Sequence, residues 1–180
     1  MAVSTYLLTF LARESVKLAP AFPAKYPCSW LIWEPGKWRP ATTTRQSNQA
    51  TTITDPSVFG RASRPVGTDA FCFHLDEKPG VELTLGRAST SDILVNDLTL
   101  SRTHLLLRGG ATWEASVAPT CPHPTTFGDQ AAPAGAWTPL TSGLSIGAGA
   151  VRLTYYDVAG MLARLDVEAK RGNVVLRTVG

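Results

Sequence analysis

Three features are scarce in this chain, and each absence narrows what the protein can do. Its 180 residues include only 3 cysteines, an odd number at wide spacing, which suits a reducing compartment better than a disulfide-bonded secreted scaffold. The formal net charge is +3 without any run of basic residues, so nothing indicates a nucleic-acid partner. The apolar stretch 2–12 is too short to span a membrane, and no basic residue precedes it. We expect a soluble, cytoplasmic protein with neither signal peptide nor transmembrane helix, and no membrane partner.

Motifs of catalysis are also missing. No glycine-rich phosphate loop precedes a helix, which argues against nucleotide hydrolysis. Asp97, Ser101 and His104 are the residue types of a hydrolytic triad, but no nucleophile elbow frames them, and Ser and His three apart seldom align. We expect a protein that is not an enzyme.

Two Cys-x-His pairs offer four residues of the kind that bind zinc. They are Cys72 with His74 and Cys121 with His123. Structural zinc pairs usually space their ligands more widely, and nothing in the sequence brings the two pairs together. We therefore expect no metal and no cofactor.

The N-terminal third, residues 1–69, reads as an extension. Val3, Leu7, Phe10, Leu11 and Leu18 recur at helical spacing, which predicts an amphipathic helix over 3–18 with Ser4 as a candidate N-cap. A strand-like segment follows at 30–33, and the polar residues 39–69 are typical of a linker. Packing against a β-sheet is the first interpretation of Trp30, Trp33 and Trp38; the alternative is a partner-binding face that docks on another subunit, as in a homo-oligomer.

The middle of the chain, residues 70–156, alternates as strands do. In 70–75, Phe71, Phe73 and Leu75 share one face while Cys72 and His74 share the other. Strands are also predicted at 81–85, 93–95, 104–108 and 112–117, with Gly109-Gly110 as a two-residue hairpin turn. A further hairpin is predicted at 144–156, in which Val151, Leu153 and Tyr155 share one face. This spacing predicts an all-β antiparallel sandwich. In residues 157–180, we predict a last helix that carries Val158, Met161, Leu162 and Leu165, with Asp157 as its candidate cap. The alternative is a strand, since residues 161, 163, 165 and 167 are apolar and 164, 166 and 168 are charged.

Arginine and hydroxyl side chains are concentrated in "GRASTSDILVNDLTLSRTH", residues 86–104, around one short apolar run. Such donors at two loops indicate an anion site. In an antiparallel sheet, however, loops that flank one three-residue strand lie at opposite ends, so sheet topology alone does not predict that they meet.

Gly86-Arg87, Asp92-Ile93 and Ser101-Arg102-x-His104 together resemble the forkhead-associated (FHA) domain, a phosphothreonine-binding β-sandwich. Leu140 and "GLSIG" at 143–147 resemble the closing segment of that family, without its aspartate. The resemblance covers residues 70–156, and it implies that binding loops from several connections share one edge of the sandwich.

The resemblance also implies roles for individual residues. Arg87 matches the arginine that holds phosphate or peptide backbone. Ser101 matches the serine whose hydroxyl and amide receive the phosphate, with Arg102 beside it. Gly86 and His104 match structural positions, His104 bracing the loops from within.

The loop "CPHPTTFGD", residues 121–129, departs from the Ser-x-Asn-Gly-Thr that is usual in the family. His123 stands at the Asn position, Pro124 at the Gly position, and Thr125 at the last Thr. A histidine can still donate a hydrogen bond and can carry a charge, whereas a proline changes the allowed backbone.

The resemblance implies a non-catalytic module that binds a Thr-phosphorylated protein, either a Ser/Thr kinase or its substrate. Arg87, Ser101 and Arg102 would hold the phosphate, supported by Thr103, His123 and Thr125. The alternative is an FHA-like structural or oligomerisation protein that has lost phosphate recognition and binds through its N-terminal arm.

Overall fold

The alternating segments form two β-sheets packed face to face in the computed structural model, which describes residues 3–36, 69–76 and 80–177, with side chains described up to residue 171. Within these ranges the strands are β1 Thr5–Leu7, β2 Ser29–Trp33, β3 Phe71–Leu75, β4 Glu82–Gly86, β5 Ile93–Leu94, β6 Leu105–Arg108, β7 Glu114–Val117, β8 Thr125–Phe127, β9 Gln130–Ala131, β10 Trp137–Pro139, β11 Ser145–Ala148 and β12 Val151–Tyr156, and the helices are α1 Leu8–Leu18, α2 Phe22–Lys25 and α3 Val158–Arg177. The predicted fold class, an all-β sandwich with helices near both ends, is confirmed.

One sheet has seven strands in the order β1-β3-β2-β12-β11-β8-β9, and the other has five in the order β10-β7-β6-β4-β5. Neighbouring strands are antiparallel with one exception. β5 runs parallel to β4, with Leu85 opposite Ile93 and Gly86 opposite Leu94. The assumption of a uniformly antiparallel sheet was wrong here, and this exception decides where the loops of the site lie.

The main core lies between the sheets and follows the predicted alternation. Phe71, Phe73 and Leu75 of β3 face it, as do Val151 and Leu153 of β12. The side chains on the opposite face of β3 point away from the five-stranded sheet, and Cys72 belongs to a separate apolar cluster beneath the helices. The seven-stranded sheet is therefore covered on both faces, which explains why every residue of β2 is buried.

The helical layer buries its own apolar face against the seven-stranded sheet. Leu11 of α1 and Leu165 of α3 are fully buried there with Trp30 of β2. The C-terminal helix was predicted correctly, including its cap, since the Asp157 carboxylate accepts a hydrogen bond of 2.7 Å from the Gly160 amide. No helix in the described part of the chain is long and apolar enough to cross a bilayer.

The N-terminal helix is shorter than its periodicity predicted. Residues 5–7 form a strand that pairs with 71–73, and the helix begins at Leu8, with Leu7 rather than Ser4 at the N-cap. The Ser4 carbonyl accepts a hydrogen bond from the His74 amide. Pairing with β3 satisfies the backbone groups of this segment, and this tertiary contact outweighs the helical spacing.

The extension is built into the fold. β2 lies between β3 and β12, so the segment around Trp30 and Trp33 is part of the seven-stranded sheet. Both side chains are buried, which confirms packing as their role. Trp38 and the predicted linker up to residue 68 lie outside the described residues.

The two predicted hairpins differ in outcome. At 144–156, Ala148 pairs with Val151, which leaves the two-residue turn Gly149-Ala150. The other prediction was wrong in its turn, because Arg108 pairs with Glu114 and the connection is the five-residue loop 109–113. Trp113 lies in this loop, where its carbonyl accepts a hydrogen bond from the Leu140 amide and does not pair with β6. Its side chain is buried in the main core.

Candidate functional site

Three loops meet at one end of the five-stranded sheet. We call them the first loop (87–92, between β4 and β5), the second loop (95–104, between β5 and β6) and the third loop (118–124, between β7 and β8). Because β4 and β5 are parallel, their C-terminal ends lie at the same edge, and the first loop must cross back to begin β5. The topological objection raised by the sequence is thereby removed.

The first two loops are joined by their backbones. The Arg87 amide donates to the Ser101 carbonyl at 3.0 Å, and the Ala88 amide donates to the Arg102 carbonyl at 3.1 Å. Gly86 allows this approach, since a Cβ at that position would overlap the Arg102 carbonyl oxygen. We call this contact the backbone seam. It makes Arg87 and Ser101 direct backbone neighbours.

His104 is fully buried beneath the site and holds two loops through its ring. Nδ1 accepts the Ser101 amide at 3.2 Å, and Nε2 lies 2.9 Å from the Thr125 hydroxyl. Burial, together with the neighbouring His123 imidazole, lowers the pKa of His104 to about 4. The ring is therefore neutral near pH 7, and since Nδ1 accepts, Nε2 carries the proton and donates it to Thr125.

The third loop is tied to the second by side chains. The Ser101 hydroxyl donates to the Cys121 sulfur at 3.1 Å, and the Cys121 thiol in turn lies 3.7 Å from the His123 carbonyl oxygen. The Thr125 hydroxyl reaches the same carbonyl at 3.4 Å. Two chains of hydrogen bonds thus run from Ser101 to the His123 backbone, one through sulfur and one through His104. We call this connection the side-chain joint.

The second loop is also held from its opposite side. Asp97 is buried and accepts the amide and hydroxyl of Thr99 at 2.8 and 2.6 Å. The Thr99 hydroxyl accepts the Ala150 amide at 2.8 Å, at the tip of the β11–β12 hairpin. A Cβ at Gly149 would lie 2.5 Å from the Thr99 carbonyl oxygen, so this contact too depends on a glycine. The loop is therefore fixed before any ligand arrives.

The predicted binding residues differ in how far they are exposed to solvent. Arg87, Arg102 and His123 are exposed, and Ser101 and Thr103 are half-buried. Thr125 is buried, and its hydroxyl is directed inward to His104. The structure therefore brings Thr125 into the support of the site and not onto its surface.

The two arginines keep their charges available. Among the residues that the structure describes, no carboxylate lies within 4.0 Å of either guanidinium group. The acids of the same loops face elsewhere, since Asp92 receives the amide and hydroxyl of Thr84 and Asp97 receives Thr99. Within the described ranges, no acidic side chain offsets the positive charge of these two arginines.

Catalytic geometry is not formed by the triad-like residues. The Ser101 hydroxyl faces Cys121 and not the His104 ring, and the Asp97 carboxylate is engaged by Thr99. The described residues contain no group of three metal-ligating side chains. Cys72 lies under the helices, whereas Cys121 lies at the loops, so the two Cys-x-His pairs belong to different parts of the fold.

Cys121 is a residue of the candidate site that the sequence did not predict there. From the sequence it is only a possible zinc ligand, whereas in the structure it accepts a hydrogen bond from the Ser101 hydroxyl. Its position two residues before His123, in the loop that departs from the family pattern, was the available signal.

Comparison with known proteins gives structural matches only. No protein-family model and no curated protein sequence matches the chain. Among solved structures, the FHA domain of a Chlamydia trachomatis protein matches with a TM-score of 0.47 and 14% identity, over 72% of this chain and 97% of that one. The FHA domain of an Arabidopsis thaliana hypothetical protein matches with a TM-score of 0.48 and 16% identity, over 73% and 86%.

A third match is the MEK1 FHA domain solved in complex with a phosphothreonine peptide of HOP1. Its TM-score is 0.41 and its identity 10%, over 47% of this chain and 88% of that one. All three are FHA domains, the family that the Gly-Arg and Ser-Arg-x-His motifs resemble.

Proposed function

We propose that the protein is a phosphothreonine-dependent binding module whose ligand sits between the first and second loops. One observation carries the proposal: two exposed arginines, free of carboxylate partners within the described chain, project from loops that the backbone seam holds together. A phosphothreonine carries about −1.5 to −2 charges and three strong acceptor oxygens at neutral pH. Charge-assisted donors at a pre-formed edge are what such a group requires.

Each predicted residue takes a distinct part in this proposal. Arg87 and Arg102 supply the charge, and Thr103 and His123 supply further donors at the rim. Ser101 gives its hydroxyl, which is now held only by sulfur, a weak acceptor, so little is lost when it turns to a phosphate oxygen. The Ser101 amide stays with His104. Gly86, His104 and Thr125 are positioning residues.

The partner is a protein phosphorylated on threonine, either a Ser/Thr kinase or its substrate. Binding after modification makes assembly follow kinase activity. We place this event in the cytoplasm, because Cys28, Cys72 and Cys121 are all free thiols, two of them buried, as in proteins of reducing compartments.

The test is a fluorescence-anisotropy titration with a library of phosphothreonine peptides and their unphosphorylated forms. We expect micromolar binding of some phosphorylated members, because one phosphate and a short peptide bury little surface. Arg87→Ala and Arg102→Ala should each weaken binding at least about tenfold, since a charge-assisted contact contributes about 1.5–3 kcal/mol. Arg13→Ala removes the same charge from the exposed face of α1 and serves as the matched control. Equal binding of unphosphorylated peptides would refute the proposal.

A structural or oligomerisation role is favoured by two observations. Both donors of Ser101 are engaged within the protein, and Pro124 stands where the family pattern has glycine in the third loop. Under that alternative, association would be seen by analytical ultracentrifugation, would survive phosphatase treatment, and would be indifferent to Arg87→Ala. Truncating residues 1–60 is not a usable probe of it, because β1, α1 and β2 belong to the folded sheet and its helical cover.

A further inference from the structure

The His123 ring has an unusual position for a surface histidine. It lies nearly parallel to the buried His104 ring, with an interplanar angle of 5° and 6.2 Å between centroids. The Nδ1 of His104 accepts the Ser101 amide, so a single residue, His104, connects the His123 ring to Ser101. Among the described residues, neither nitrogen of the His123 ring has a hydrogen-bond partner. An exposed, nearby ring with unused nitrogens is available to a ligand.

The backbone that carries the ring is also held in place. The His123 carbonyl is held by the Thr125 hydroxyl and approached by the Cys121 thiol, and Pro122 and Pro124 restrict the backbone on either side. A side chain carried on a fixed backbone loses less entropy on binding than one on a flexible loop. The family pattern has Asn here, which cannot change its charge, so this chain differs in chemistry at a well-fixed position.

Among the described residues, the titratable groups that contact His123 are His104 at the end of the second loop, whose ring stacks on it, and Cys121 on its own loop, whose thiol approaches its carbonyl. Arg87 and Arg102 belong to the first two loops. His104 stays neutral above about pH 4. The third histidine, His74, lies on β3 of the other sheet, stacks edge-on with Trp30 and pairs with Asp76. His104 therefore keeps its neutral charge between pH 6 and pH 8, and a variant at position 123 tests His123 directly.

We propose that His123 binds the phosphate as an imidazolium, which makes phosphopeptide affinity rise as the pH falls from 8 towards 6. This inference rests on the proposed function and adds its regulation. An imidazole ordinarily titrates near pH 6.5 and the second ionisation of a phosphomonoester lies near pH 6. The bound dianion stabilises the protonated ring, so binding draws a proton onto His123. The gain is present at pH 6–6.5 and is lost as the pH rises above neutrality. Below about pH 6 the phosphate itself protonates and the gain declines.

The experiment measures the affinity of one phosphothreonine peptide for the wild type and for His123→Asn at pH 8, 7 and 6. His123→Asn is the matched variant, since it keeps a donor at an exposed position and cannot gain charge. The ratio of the two dissociation constants cancels the titration of the peptide. We expect the ratio to favour wild type by about fivefold more at pH 6 than at pH 8, the difference between a charged and a neutral hydrogen bond. A ratio that stays constant from pH 8 to pH 6 overturns the inference.

Calorimetry gives a readout that a structural role of His123 would not move. In buffers of different ionisation enthalpy at pH 7, wild type should take up more protons on binding than His123→Asn does, and equal proton uptake by the two would contradict the inference.

The proposed function and the protonation of His123 fail in different ways. If wild type binds at pH 8 and Arg87→Ala does not, the proposed function stands whatever the pH ratio does. If no phosphopeptide binds at any of the three pH values, both are refuted.

Discussion

The two connections that assemble the site are built in opposite ways. The backbone seam between the first and second loops uses main-chain hydrogen bonds and requires that Gly86 has no side chain. The side-chain joint between the second and third loops uses His104, Thr125 and Cys121, with the ring of His104 at its centre. A connection made of backbone tolerates most changes of side chain but no added Cβ at its closest point. A connection made of side chains fails gradually, one hydrogen bond at a time.

Gly86→Ala is the largest expected perturbation. The added methyl group would overlap the Arg102 carbonyl and lie 3.0 Å from the Ser101 carbonyl, so backbone must move. We expect the free energy of unfolding to fall by about 3 kcal/mol, as for other overpacked sites, with loss of phosphopeptide binding. Urea unfolding provides the measurement. Gly110→Ala is the matched control, since its Cβ would lie 3.5 Å from the Thr112 carbonyl oxygen, an ordinary van der Waals contact. This variant should leave the free energy of unfolding within about 0.5 kcal/mol of wild type.

The second-largest effect is expected from acidification, which should weaken the side-chain joint. The pKa of His104 in the folded protein, about 4, lies below the ordinary value of 6.5, so folding favours the neutral ring. Its contribution to stability is complete above pH 6.5 and is lost as the pH falls towards 4, on the order of 2 kcal/mol in all. The comparison is between urea unfolding curves of wild type and His104→Gln from pH 7 to pH 4. The variant should be less stable at pH 7 but lose less stability on acidification. Parallel losses in both proteins would show that His104 does not titrate in this way.

Cys121→Ala should have the smallest effect. It removes two weak hydrogen bonds that involve sulfur, one from the Ser101 hydroxyl and one to the His123 carbonyl, together worth about 1 kcal/mol or less, and leaves the path through His104 intact. We expect nearly unchanged stability and phosphopeptide affinity equal to wild type or up to about twofold tighter, because the Ser101 hydroxyl is released. If affinity fell tenfold, the thiol would be part of recognition, and the assignment of Cys121 to support would be wrong.

The residues of the backbone seam can be identified in the sequence more completely than those of the side-chain joint, for a physical reason. Gly86-Arg87 and Ser101-Arg102-x-His104 are short motifs set by local strand ends, so they can be read from the chain. The contacts of Cys121 and His123 depend on how the third loop lies against the second, which no local pattern specifies. Thr125 was identified as a site residue, but its inward direction depends on His104, twenty-one residues earlier.

In the fold, too, local patterns predicted some features, whereas features that depend on the pairing of distant segments were not predicted. Alternation in 70–75 and 151–155 predicted which side chains enter the core. It did not predict that residues 5–7 leave the helical pattern to pair with β3, because that pairing joins segments more than sixty residues apart. Nor did it predict the parallel pairing of β4 and β5, since a two-residue strand carries no signal of its direction.

The central place of β2 in the seven-stranded sheet has a consequence for how the chain is made. On one side β2 needs β3, and on the other it needs β12, whose Tyr155 hydroxyl bonds Ser29 across 126 residues of sequence. The ribosome synthesises β2 long before β12, so during synthesis Trp30 and Ile32 lack one of the two strands that flank β2 in the folded sheet. Nascent chains of this protein therefore lack one of the two partners of this aromatic strand until β12 has been synthesised.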